Sequence, residues 1–228
     1  GCGGTIAKLV SDGAQVYLIT ATKGEKSRFN LSSDERGDLG EIRSAELKKA
    51  AEKLGIKEFF ELNYPDGELK DVSKEELTEK IKAISSRLEA DIMITFEPLG
   101  LNSHPDHMAI SRAATRAFDE LTDNVNSTLK RLYYLAIPRS WLGAAKIIVN
   151  FRRKLKYHGT PDAEITNIID ISLYGEKKKE AWRCYVSQFR DFKGIRKYVG
   201  KKFFDKEHFI IARSTEDDAN KKSGDTLS

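Results

Sequence analysis

The residues able to do chemistry crowd into one loop, Glu97-Pro98-Leu99-Gly100-Leu101-Asn102-Ser103-His104-Pro105-Asp106-His107. Its last four residues hold two histidines and a carboxylate. Pro105 suits the first turn of a helix, where its missing N–H costs nothing. Three positions apart on that helix, His104 and His107 share a face. A helix N-terminus disfavours imidazolium, so a ring there stays neutral and able to bind metal. Asp106 stands where a partner that orients a ring nitrogen would stand. Taken alone, the string also fits a polar helix cap with two surface histidines. A catalytic zinc site takes three protein ligands and a water, of which His107 supplies one and His104 an optional second. His158 and His208 carry no spacing signal and read as ordinary surface histidines. No other His, Cys or Asp cluster completes a site, and no Ser/His/Asp triad surrounds Ser187. The glycines at 1, 3 and 4 have neither a Walker lysine nor dinucleotide-binding spacing, and Cys2 reads as a small packed residue rather than a nucleophile.

The elements that must position this loop follow from hydrophobic periodicity and punctuation. A short helix is expected over Thr5 to Leu9, then a buried strand at Val16 to Ile19. The stretch from Thr22 to Gly40 is polar and reads as a loop. A helix follows over Leu39 to Leu54, stopped by Gly55. Phe59 to Leu62 is a strand, and Tyr64-Pro65-Asp66-Gly67 is a turn by composition. Ser73 and Glu76 form a capping box for a helix carrying Leu77, Ile81, Ile84 and Leu88 on one face. Strands are expected at Asp91 to Phe96, Leu132 to Ile137, Ile165 to Ile171 and Phe209 to Ala212. Helices are expected from near His104 and over Glu176 to Phe189. The strand–helix alternation of the first 137 residues predicts an α/β fold, a Rossmann-like three-layer α/β/α arrangement with a mostly parallel sheet. Ligand sites in such folds lie beyond the carboxyl ends of the strands, which is where the His104–His107 loop falls. One domain over 1–214 and a polar tail over 215–228 are expected.

Composition bounds the rest. The 228 residues are 39% hydrophobic and 32% charged, enough for a core and far from disorder. The formal net charge of +4 comes with no nucleic-acid-binding motif, so no nucleic-acid partner is expected. No apolar run reaches the roughly 18 residues of a membrane helix. Two cysteines, Cys2 and Cys184, build no disulfide framework, and a reducing, cytoplasmic location is expected. The segment from Trp141 to Tyr157 is basic and amphipathic; a packed helix, a pocket wall or a membrane-surface helix all fit it.

Several stretches, in order along the chain, resemble the PIG-L/LmbE-type zinc-dependent deacetylases of N-acetylglucosaminyl compounds. They are Gly1-Cys2-Gly3-Gly4-Thr5-Ile6-Ala7, Thr20-Ala21-Thr22-Lys23-Gly24-Glu25, Arg43 with Glu46, Leu54-Gly55, Tyr64-Pro65-Asp66-Gly67 and His104-Pro105-Asp106-His107. Ile169-Asp170-Ile171, Lys177-Lys178 and Ser187-Gln188-Phe189 complete the series. The resemblance implies that His107 binds Zn2+. It implies that His104 stabilises the oxyanion or protonates the leaving amine, and that Asp106 orients His104. Arg43 and Asp66 would contact substrate, although the residues alone fit an Arg43–Glu46 pair worth about 0.2–0.5 kcal/mol and a plain turn at Asp66. The implied partner is a small amino-sugar compound, with an anionic aglycone and homo-oligomerisation left open. The family's His-Pro-Asp-Asp-Glu motif, with two ligands and the general base, does not occur in these residues. The chain opens on Gly1 rather than Met, so it reads as a fragment of a longer protein, inactive and poorly stable by itself. The alternative is a non-catalytic sugar- or anion-binding relative without a complete metal site. Reading the coding sequence upstream of Gly1 separates the two.

Overall fold

A computed structural model describes residues 1–26, 39–142, 158–188, 200–216 and 227. Most of the basic segment from Trp141 to Tyr157, most of the polar tail, and Phe189 lie outside the described residues. The chain divides into two units. Residues 1–67 and 170–207 form the first; residues 68–169 and 208–228 belong to the second.

In the first unit, α1 (Gly3–Ser11) leads to β1 (Tyr17–Thr22), α2 (Leu39–Leu54) and β2 (Glu58–Tyr64). β1 and β2 pair in parallel, Tyr17 opposite Glu58 and Ile19 opposite Phe60. The α2 crossover makes this possible, since parallel neighbours need a long return connection. α2 ends in a Schellman motif: the Ile56 amide donates to the Ala51 carbonyl and the Gly55 amide to Glu52. Gly55 adopts φ +77°, which a side chain would resist. α5 (Gly175–Arg183) adds Ala181 to a small core with Ala7, Ala50 and Leu54.

α1 has no side-chain cap from its own N-cap residue, Cys2. Its free amides go to Glu207 instead: Gly4 N–H donates to Oε1 at 3.0 Å and Thr5 N–H to Oε2 at 2.7 Å. Lys178, whose side chain is 1% exposed, reaches the same carboxylate at 2.7 Å. The glycine-rich opening therefore spends its amides on an internal carboxylate, not on a phosphate. Gly4 leaves no room for a Cβ, which would sit 2.3 Å from Ile171 Cδ1.

In the second unit, α3 (Lys74–Ser85) starts as expected, with Ser73 Oγ accepting the Glu76 amide at 3.3 Å. β3 (Ile92–Phe96), α4 (Pro105–Thr122) and β4 (Arg131–Ala136) form a second strand–helix–strand crossover. β3 and β4 are parallel. β5 (Asn167–Asp170) and β6 (Lys206–Ser214) complete a sheet ordered β3-β4-β6-β5. β6 runs antiparallel to β4. Among the described residues the strands thus fall into two sheets, one of them mixed, where the alternation predicted one mostly parallel sheet. The alternation spans only the first 137 residues; β6 lies beyond them and enters the sheet beside β4, running antiparallel to it. Phe118, Leu129 and Leu132 are buried together beneath α4.

Two further expectations change. The helix predicted over Glu176 to Phe189 stops at Arg183 and gives way to a 3₁₀ turn over Val186–Gln188. His208 is not a surface histidine: it is buried, with the Trp141 ring edge-on at 4.5 Å.

Candidate active site

The second unit gathers His104, Asp106 and His107 at the carboxyl end of β3. His104 is the N-cap of α4, Pro105 its first residue, and the His104 Nδ1 accepts the Asp106 amide at 3.3 Å. An accepting Nδ1 has no proton, so the neutral His104 ring carries its hydrogen on Nε2. His107 is the opposite tautomer. Its Nδ1–H donates to the Gly100 carbonyl at 3.0 Å, which leaves Nε2 with a lone pair. A ring nitrogen that donates to a backbone carbonyl while the other is free is the arrangement of a metal-ligating histidine. The two rings lie 4.9 Å apart, centroid to centroid. One therefore offers a donor and the other a ligand.

The surroundings hold these rings in place. Phe96, the last residue of β3, stacks on His107 at 4.2 Å with the planes 7° apart. Burial, opposed by the hydrogen bond to Gly100, holds the His107 imidazole below its usual value, so it stays neutral near pH 7. The Asp106 carboxylate accepts the Leu69 amide at 3.2 Å through Oδ1. Asp106 reaches His104 through its main-chain N–H.

The loop before His104 is strained. Gly100, Leu101 and Ser103 take φ values of +65°, +61° and +57°, and only the glycine does so without steric cost. Glu97 braces the turn by accepting the Leu99 and Leu101 amides at 2.7 and 2.6 Å. Gly100 also admits close approach: a Cβ there would lie 2.8 Å from His107 Cβ. Ser111 Oγ donates to the Phe96 carbonyl at 2.7 Å, which ties α4 to the strand end. Neither Glu97 nor Ser111 carries a periodic or motif signal, so sequence reasoning passed over both.

The first unit gathers Arg43 and Asp66. Arg43 is 5% exposed on α2, and its Nη1 donates to the Gly24 carbonyl. Asp66 accepts the Lys26 amide at 3.0 Å, and its own amide donates to Glu25 Oε1 at 2.8 Å. The loop after β1 thus meets helix α2 through Arg43 and the 64–67 turn through Asp66. Glu46 is also buried, and its carboxylate accepts the Ser187 amide and hydroxyl at 2.8 and 2.7 Å.

For zinc, the donor set in hand supplies one ligand of the right tautomer, His107 Nε2. Among the described residues, no three His, Cys, Asp or Glu side chains come together as a metal site.

Comparison with known proteins gives this geometry a context. A family profile described as PIG-L, GlcNAc-PI de-N-acetylase, matches residues 1–118. A relative named 1D-myo-inositol 2-acetamido-2-deoxy-alpha-D-glucopyranoside deacetylase, from Thermobifida fusca, is 28% identical over 221 residues, covering 82% of this chain and 77% of its own. The solved N,N'-diacetylchitobiose deacetylase of Pyrococcus horikoshii matches 92% of this chain and 78% of its own, with a TM-score of 0.64 at 24% identity. The 4-carboxy-2-hydroxymuconate hydratase of Pseudomonas putida KT2440 matches 94% of this chain and 92% of its own, with a TM-score of 0.65 at 15% identity. At these identities the two structures speak for the fold, and a fold can host more than one chemistry.

Proposed function

The chain belongs to the PIG-L family, and on that premise we propose that it serves a hydrolase that removes an acetyl group from an N-acetylglucosamine-type compound. The observation that supports this most is the pair of opposite tautomers at His104 and His107. Amide hydrolysis adds water across the C–N bond: oxygen goes to the acetyl carbon, which leaves as acetate, and a proton goes to the departing amine. Charge builds on the acetyl oxygen on the way. His104, with its hydrogen on Nε2, is the donor for that oxygen, and such a donor is worth about 10²–10³ in kcat.

His107 would hold zinc through Nε2. When bound, zinc supplies a water of pKa near 7 and polarises the acetyl carbonyl. Two more ligands and a general base are needed, and His-Pro-Asp-Asp-Glu, which carries them in the resemblance described above, does not occur in these 228 residues. Arg43 and Asp66 would bind sugar hydroxyls or an acidic aglycone, and the burial of Arg43 makes it a preorganised donor. The GlcNAc-inositol compound named for the Thermobifida fusca relative is the first substrate to try.

The test is direct. The protein carrying this chain is assayed for bound zinc and for acetate release from GlcNAc-inositol, N,N'-diacetylchitobiose and N-acetylglucosamine. Zinc-dependent release from at least one, abolished in His107→Ala together with zinc binding, is the expected result. Sugar binding without metal or turnover, or unchanged turnover in His107→Ala, overturns the reading.

A further inference from the structure

The Ser103 hydroxyl lies 2.7 Å from His158 Nε2. Neither residue belongs to the motif that points to the reaction, and His158 reads from sequence as an ordinary surface histidine. Ser103 immediately precedes His104 and holds φ +57°, a left-handed conformation that is strained for a non-glycine residue. A strained residue beside a chemical group persists only if its surroundings hold it there.

His158 is itself anchored. The Thr160 amide donates to the Ile137 carbonyl at 2.8 Å, and the Arg139 amide donates to the Thr160 carbonyl at 2.8 Å. Gly159, at φ +66°, presses against Arg139, whose Cα would lie 2.9 Å from an added Cβ. These contacts fix the backbone around His158 just beyond the carboxyl end of β4. A ring held there reaches the Ser103 side chain, one residue from the N-cap of α4.

We infer that His158 is a positioning residue, acting through the Ser103 hydroxyl to hold the left-handed turn that aims the His104 Nε2–H. This rests on the proposed role of His104 as the donor to the acetyl oxygen. Misplacing a catalytic group by about 1 Å can cost about 10²-fold, so loss of this hold is expected to cost about 10- to 100-fold. The cost should fall on kcat rather than KM, because the donor acts in the transition state.

Two sets of measurements test it. In turnover, His158→Ala and Ser103→Ala each lower kcat about tenfold or more with KM nearly unchanged. The double variant is no worse than either single one, since both remove the same link. His158→Gln, whose side-chain amide can still bond the hydroxyl, recovers most of the loss. Additive losses, or failure of His158→Gln to recover activity, overturn the inference. In the metal-free protein, histidine ring ¹⁵N NMR at one fixed pH reports the tautomers without any substrate. His158→Ala shifts or broadens the His104 signals and leaves those of His107 in place. Unmoved His104 signals overturn the inference even if no acetyl compound is ever turned over, so its failure is separable from failure of the deacetylase reading.

Discussion

Lys178 and Glu207 meet at 2.7 Å with side chains 1% and 3% exposed. The contact is shared: Lys178 Nζ also donates to the Phe203 carbonyl at 2.7 Å and lies over the Phe203 ring, while the carboxylate caps α1. Burial pulls Lys178 below the ordinary lysine value, opposed by the carboxylate. Removing one member of a buried pair strands the other charge, which costs about 3–5 kcal/mol. Lys178→Met should therefore destabilise by that order. Glu207→Gln should also cost stability, because a neutral amide caps α1 more weakly and leaves the ammonium uncompensated. Urea unfolding followed by circular dichroism checks both, and a loss below 1 kcal/mol for each would remove this pair from the account of the fold.

His107 makes stability depend on pH in a stated direction. Its folded-state pKa lies below the unfolded value of about 6.5. Between those two values the unfolded chain binds more protons, so stability rises with pH across that window and is lost as pH falls through it. Metal-free protein should therefore unfold at lower urea as pH drops from 7 towards 5, and His107→Ala should have a shallower dependence than wild type. Equal slopes in the two proteins would show that His107 is not held neutral by burial.

Gly100 should be intolerant of a side chain for a reason local to the site. Alanine there adds left-handed strain of about 1–2 kcal/mol and places a Cβ 2.8 Å from His107 Cβ and 3.1 Å from the Met108 amide nitrogen. On the proposed reading, Gly100→Ala should weaken zinc binding at least tenfold, because the ring must turn or shift. Gly13, at φ +95° with nothing within 4 Å of an added Cβ, is the control: Gly13→Ala costs stability alone. Competition with a zinc chelator distinguishes them.

Arg43→Lys keeps the charge and loses the planar fork. On the proposed reading, KM for the acetylated substrate rises about tenfold or more, with zinc content unchanged. A wild-type KM would confine Arg43 to the bond with Gly24 and remove it from the substrate site.

What could be read in the chain were features written locally. The helix ending at Leu54 stops where expected, because Gly55 supplies the left-handed residue that a Schellman motif requires. Ser73 and Pro105 announce their helices by the same kind of short-range chemistry. Contacts between distant residues left no such trace. Arg43 and Glu46 are spaced for an ion pair on one helix, yet Glu46 bonds Ser187, 141 positions away. His158 and His208 looked alike, but one reaches Ser103 and the other is buried against Trp141. The tautomers of His104 and His107 depend on which backbone group each Nδ1 meets, and that follows only from the turn over Gly100–Ser103.

The cap that Glu207 provides for α1 spans 203 and 202 positions of sequence. On a ribosome adding about 5–20 residues per second, the first helix waits on the order of 10–40 s for its cap to be made. Residues 68–169 are synthesised in the interval, but their sheet lacks β6, the strand between β4 and β5, until the same stretch of chain is made. Completion of the first unit is thus timed by a residue some 200 positions after the helix it caps, and slowing translation between residues 170 and 207 prolongs the period in which α1 lacks its cap.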